Sequence, residues 1–280
     1  MAGPQIERDH QAVEARLDVL AGAFPEVAFM TIGGASRADY VAYLPALLGD
    51  TARNLDYEHP DDVRQLLVDA QLNRIHMMLE NDEPSATLFQ VGEDSQVGRP
   101  YLCVITLDPD RFLGDNLAAT AFMSGAETHE LSAWPDERVL DNEAFIRYTL
   151  DHEAFHCLAV YLRGPYYLMG SDDVTAEYQR FRAEFDADLF AALAFRDAQN
   201  DARGFMENML RMRQLSLFND DPVHYTGRAL RTAMRTELPV RARDNLVEFA
   251  AFVIDLADGV AANRAGFKRH AASAQVVTLP

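Results

Sequence analysis

The segment that most limits the fold is Tyr148–Leu158, YTLDHEAFHCL, where two histidines and a glutamate sit in an apolar run. His152, Glu153 and His156 form the pattern H-E-x-x-H. Phe145, Ile146, Leu150, Phe155, Leu158 and Val160 surround them at helical spacing. The spacing predicts a helix over Glu143–Leu162, stopped by Gly164-Pro165. Positions i and i+4 lie one turn apart on one face of a helix, so the two imidazoles project together. Polar groups in a core stripe must find partners, because an unpaired buried one costs about 1–3 kcal/mol. One Zn²⁺ satisfies all three. Zinc lowers the pKa of a bound water from 15.7 to about 7, and Glu153 projects where a carboxylate can take its proton. A solvated helix face with paired His and Glu is the metal-free alternative.

A catalytic zinc needs a third protein ligand and an open position for water. Glu184 lies 28 residues after His156, enough for a loop and an antiparallel return helix. Glu177 and Asp186 are the competing third ligands. Asp188, one turn beyond Glu184, is placed to accept the second ring N–H of a ligand histidine and fix its tautomer.

With His152/Glu153/His156 and Glu184/Asp188, the chain resembles the gluzincins, the thermolysin-like zinc metallopeptidases in the broad sense, whose pattern is H-E-x-x-H followed by E-x-x-x-D. The resemblance covers residues 152 to 188 and implies zinc on His152, His156 and Glu184. It further implies Glu153 as general base and Asp188 as support for a zinc-bound histidine. The run Val223-His224-Tyr225-Thr226-Gly227 is similar to the loop that supplies such enzymes with a histidine donor, so His224 is the expected oxyanion donor. Tyr225, Tyr166 and Tyr167 are alternatives, because a tyrosine hydroxyl serves in other gluzincins. The resemblance also implies a substrate-lining edge strand upstream, at 121–126.

The remaining chain reads as helix over 7–23, a strand over Val27–Ile32, and at least two helices within Asp39–Leu79, the second capped by Asp61 or Asp62. Ala86–Val91 and Tyr101–Leu107 are rich in β-formers and predict a hairpin with a long connection. Ala118–Ser124 fits a third strand or a helix, and Trp134-Pro135 marks a loop. Further helices are expected at about 175–200, 204–218, 228–236 and 240–262. The expected fold is α+β, a mainly helical zincin-like core at 86–280. Within it the small sheet occupies 86–127 and the zinc helices 143–163 and 175–200. A helical N-terminal region at 1–85 precedes it.

Charge narrows the partners. The formal charge of −19 opposes binding to nucleic acid or anionic membranes. Arg211, Arg213, Arg228, Arg231 and Arg235 read as surface charge balance, or as a place for a substrate carboxylate. His10, His59, His76, His129 and His270 sit among charges or on helix surfaces and read as solvated. Cys103 and Cys157, each in an apolar run, read as buried free thiols and, with no signal core in the first residues, point to the cytoplasm. Export without a cleavable signal stays open. The expected function is zinc-dependent hydrolysis of a peptide or protein substrate, with oligomeric state unassigned. The alternatives are a non-peptide zinc hydrolase, or a binding or structural protein whose closed zinc site takes His129 or Cys157 as fourth ligand.

Overall fold

The computed structural model describes residues 4–33, 37–55, 64–81, 83–113, 117–124, 139–164, 176–199, 202–215 and 223–261. Two compact units emerge, Met1–Asp115 with His152–Met169, and Asn116–Asp151 with Gly170–Pro280. Among the described residues helices dominate and a small mixed sheet accompanies them, an α+β architecture.

The first unit is built on the sheet. Its strands are β1 (Val27–Ile32), β2 (Arg53–Asn54), β3 (Ser85–Gln90) and β4 (Tyr101–Thr106), in the order β1-β4-β3-β2. The predicted hairpin is present: β3 runs antiparallel to β4, with Leu88 opposite Cys103. Strand β1 adds in parallel on the other side of β4, Phe29 opposite Cys103. The sheet is thus not confined to 86–127, since two of its strands come from the expected helical N-terminal region. Sequence patterning finds β1, but the parallel pairing that recruits it is long-range. Helices α1 (Pro4–Ala23), α2 (Arg37–Leu48) and α3 (Arg64–Glu80) complete the N-terminal part. Leu44, Leu48, Val68, Ile75 and Leu79 from α2 and α3 share a buried cluster with Ile32, Phe89, Leu102 and Val104 of the sheet. Because strand side chains alternate, Cys103 and Ile105 face the opposite way, and both are buried. The caps at Asp61 and Asp62 lie outside the described residues.

The short helix α4 (Pro109–Leu113) follows, then α5 (Ala118–Ser124). Of the two readings open for Ala118–Ser124, the helix is realised, so no edge strand runs through 121–124. Thr120, fully buried in α5, accepts the Leu140 N–H at 2.8 Å, and Asn142 Oδ1 accepts the Ala119 N–H at 3.2 Å. These bonds join α5 to the start of α6 (Asn142–Arg163). Asp141 caps α6 by accepting the Ala144 N–H at 2.7 Å, which is why the helix begins there. It ends at Gly164, whose φ of 75° no residue with a Cβ adopts cheaply.

The second unit is organised by α7 (Ala176–Ala198), packed against α8 (Ala202–Leu215), α9 (Gly227–Arg235) and α11 (Leu246–Ala261). Every residue of α7 from Phe185 to Leu193 is buried. Phe190 meets Phe249 of α11 at 5.0 Å between ring centroids, and Phe195 meets Phe205 of α8 at 4.5 Å. The expected single helix at 240–262 is two, α10 (Val240–Asp244) and α11. Asn245 breaks out at φ −140° and ψ 113° and accepts the Val247 N–H at 2.9 Å, so it caps the second helix instead of continuing the first.

Candidate metal centre

Helix α6 is buried on nearly every side, which makes its polar residues expensive unless partnered. Asp151, His152 and Glu153 are all buried, and His156 is half-buried. The His152 and His156 rings stand nearly perpendicular, with centroids 4.9 Å apart and Nε2 facing Nε2 at 3.2 Å. Two imidazoles bound to zinc at 2.0–2.1 Å and a tetrahedral angle hold their nitrogens about 3.3 Å apart. The observed separation fits that edge. One proton shared between the rings also fits it, and a metal titration separates the two. The donor atoms of His152, Glu153 and His156 all lie within 4.8 Å of one another. That span admits a cation gripped by the rings with the carboxylate beside it.

The neighbouring Cys157 is no free thiol. It is bonded to Cys103 of β4, with Cα atoms 5.9 Å apart, so the motif helix is stapled to the middle of the sheet. This corrects the reading of two buried thiols. Each apolar run places its cysteine in the core, but only the packing of α6 on β4 brings them to one depth. The bond also removes Cys157 as a fourth metal ligand.

The second constellation lies on α7. Glu184 and Asp188, one turn apart, meet the segment before α9. His224 Nε2 is 3.5 Å from Glu184 Oε2. Asp188 is fully buried; its Oδ1 accepts bonds from Tyr148 OH at 2.9 Å and Arg213 Nη2 at 2.8 Å, and its Oδ2 accepts the Thr226 hydroxyl. Arg213 Nε also sits 2.8 Å from Oδ2, an ion-pair contact without an aligned N–H. Burial pushes the Tyr148 phenol well above its usual range, and the Asp188 carboxylate adds to the rise. Burial alone would lower the Arg213 pKa, but the charge of Asp188 more than offsets it and the guanidinium is held above its ordinary value.

Asp188 is therefore held by a phenol, a guanidinium and a hydroxyl. Asp186, a competing third ligand, is buried and bonded to Arg182 Nε at 2.8 Å. Tyr225 is half-buried. Tyr166, Tyr167 and His129, and the side chain of Glu177, lie outside the described residues. His76 is exposed and meets Glu80 at 3.2 Å, as a solvated histidine does. Reading Arg213 as surface charge is corrected, since it is buried inside the Asp188 cluster. Patterning missed Tyr148, Arg213 and Thr226 as site residues. The one available signal was Met209-Leu210-Arg211-Met212-Arg213, an arginine at core spacing among methionines.

No family model, no curated protein and no solved structure matches this chain. Among the described residues, no helix is long and apolar enough to cross a membrane.

Proposed function

We propose that the chain is a zinc-dependent peptidase of the gluzincin type with a zincin-like core. The observation carrying this reading is the 3.2 Å approach of the His152 and His156 Nε2 atoms, with the buried Glu153 beside them. In this reading His152, His156 and Glu184 hold the metal. Zinc there would supply a Lewis acid able to bring water to a pKa of about 7. Glu153 acts as general base and returns the proton to the leaving amine. His224, tethered beside Glu184, donates to the oxyanion of the peptide or protein substrate. The formal charge of −19 gives nucleic acid no part in the reading. For the compartment, the Cys103–Cys157 bond favours an oxidising one over the cytoplasm, where thiols stay reduced.

The test is cleavage of a mixed quenched-peptide library by purified, zinc-loaded chain. Chelator should abolish the signal and added zinc should restore it. A zinc-loaded chain without chelator-sensitive cleavage would falsify the peptidase reading.

One observation favours a second reading. The 3.5 Å between His224 Nε2 and Glu184 Oε2 also fits the edge between two ligands of one metal. His224 would then close the coordination shell and the zinc would be structural. X-ray absorption separates the two: three imidazoles and no solvent oxygen for the closed site, two imidazoles and a solvent oxygen for the open one.

A further inference from the structure

His224 belongs to a connecting segment, and a segment by itself does not hold a side chain to a fraction of an ångström. Thr226, two residues on, is fully buried and its N–H donates to the His224 carbonyl at 2.7 Å. Thr226 is also the N-cap of α9, yet its hydroxyl makes no capping bond. A threonine there normally bonds the first turn of its helix, for about 1 kcal/mol. Here the hydroxyl donates to Asp188 Oδ2 instead. Glu184 and Asp188 are one turn apart on α7, and His224 and Thr226 are two apart in the segment. The pairs form two parallel rungs, Glu184 with His224 and Asp188 with Thr226. Asp188 can serve as the fixed end of its rung because Tyr148 OH and Arg213 Nη2 hold Oδ1 from α6 and α8.

We infer that Asp188, Arg213 and Thr226 form a positioning network that fixes His224 against Glu184. These residues touch no reacting atom. They act through His224, and their effect on turnover rests on the peptidase reading above, whereas their effect on the His224 ring does not.

The experiment uses the full chain with Thr226→Val, which keeps shape and removes the hydroxyl, and Thr226→Ser, which restores it. In ¹⁵N-histidine-labelled metal-free protein at fixed pH, the His224 ring signals are identified by their loss in His224→Ala. The network predicts that Thr226→Val moves those signals by more than their line width, while Thr226→Ser leaves them in place. With zinc-loaded protein, kcat should fall about tenfold to a hundredfold in Thr226→Val, the scale of one bond to a charged group, and recover in Thr226→Ser. KM should change by less than about threefold, since the bond acts on the donor rather than on substrate binding. Thr226→Ala replaces Thr226→Val in both arms if the valine variant lacks a cooperative melting transition. His224 signals unmoved in the variant lacking the hydroxyl, or no recovery with serine, overturn the inference. A wild type that cleaves nothing counts against the peptidase reading alone, and the ring signals still decide the network.

Discussion

The histidine turn of α6 and the Asp188 cluster of α7 both bury polar and charged groups in apolar helices, and they assemble them over different sequence distances. On α6 the groups gather locally: two rings at i and i+4 and the carboxylate next to the first converge within 4.8 Å. On α7 the carboxylate of Asp188 is answered from a distance, by donors 40, 25 and 38 residues away in sequence. A local cluster of lone pairs is of the kind that can take up a cation. A carboxylate already holding an arginine, a phenol and a hydroxyl is suited to hold elements in register. In the proposed reading the difference separates a metal site from a brace.

The sharpest test of the contrast is at its reactive end. Glu153→Gln keeps the side-chain shape and removes the proposed base, so on the peptidase reading kcat should drop about 10²–10⁴-fold while zinc content is unchanged. Turnover at the wild-type rate would return Glu153 to a structural role.

The brace should fail thermodynamically instead. Asp188→Ala leaves the buried Arg213 guanidinium without its carboxylate and should cost about 3–5 kcal/mol, read by denaturant unfolding. A loss below about 1 kcal/mol, the range of exposed pairs, would mean that the cluster is solvated.

The staple between α6 and β4 comes next. Its two cysteines are 54 residues apart, and constraining a loop of that size stabilises by about 4 kcal/mol in the chain-entropy model, typically about 2–4 in practice. The paired Cys103→Ser and Cys157→Ser variant should lose about that much, and thiol reductant should bring wild type to the same midpoint. Coincident midpoints without reductant would contradict the bond.

The smallest effect concerns Tyr148. Tyr148→Phe removes one bond to Asp188 and should cost about 1–2 kcal/mol. The raised phenol pKa favours the neutral form in the fold. Its contribution is complete below the ordinary value of 10.0 and is lost as pH rises above it. Wild type should therefore weaken more steeply above pH 10 than Tyr148→Phe. Parallel slopes would place the phenol in solvent.

The same contrast explains what patterning could and could not read. His152, Glu153 and His156 were legible because a helix brings i and i+4 together whatever the rest of the chain does. Strands β1, β3 and β4 were legible from runs of β-formers between turn residues. Pairing was not. Nothing in Val27–Ile32 announces a parallel partner at Tyr101–Thr106, and nothing in two apolar runs announces that Cys103 and Cys157 meet. Arg213 and Thr226 are ordinary residues of a helix and a helix start until Asp188 reaches them. The break at Asn245 depends on whether the asparagine caps forward or continues the helix, and composition allows both.

Metal content is the most direct measure of the central claim, that the α6 turn is a cation site. The chain, its Glu153→Gln variant and its His156→Ala variant would be dialysed against one zinc buffer and analysed for zinc per chain. One zinc per chain is expected in the first two and none in the third. Zinc-free wild type, or a His156→Ala variant that keeps its zinc, would contradict it.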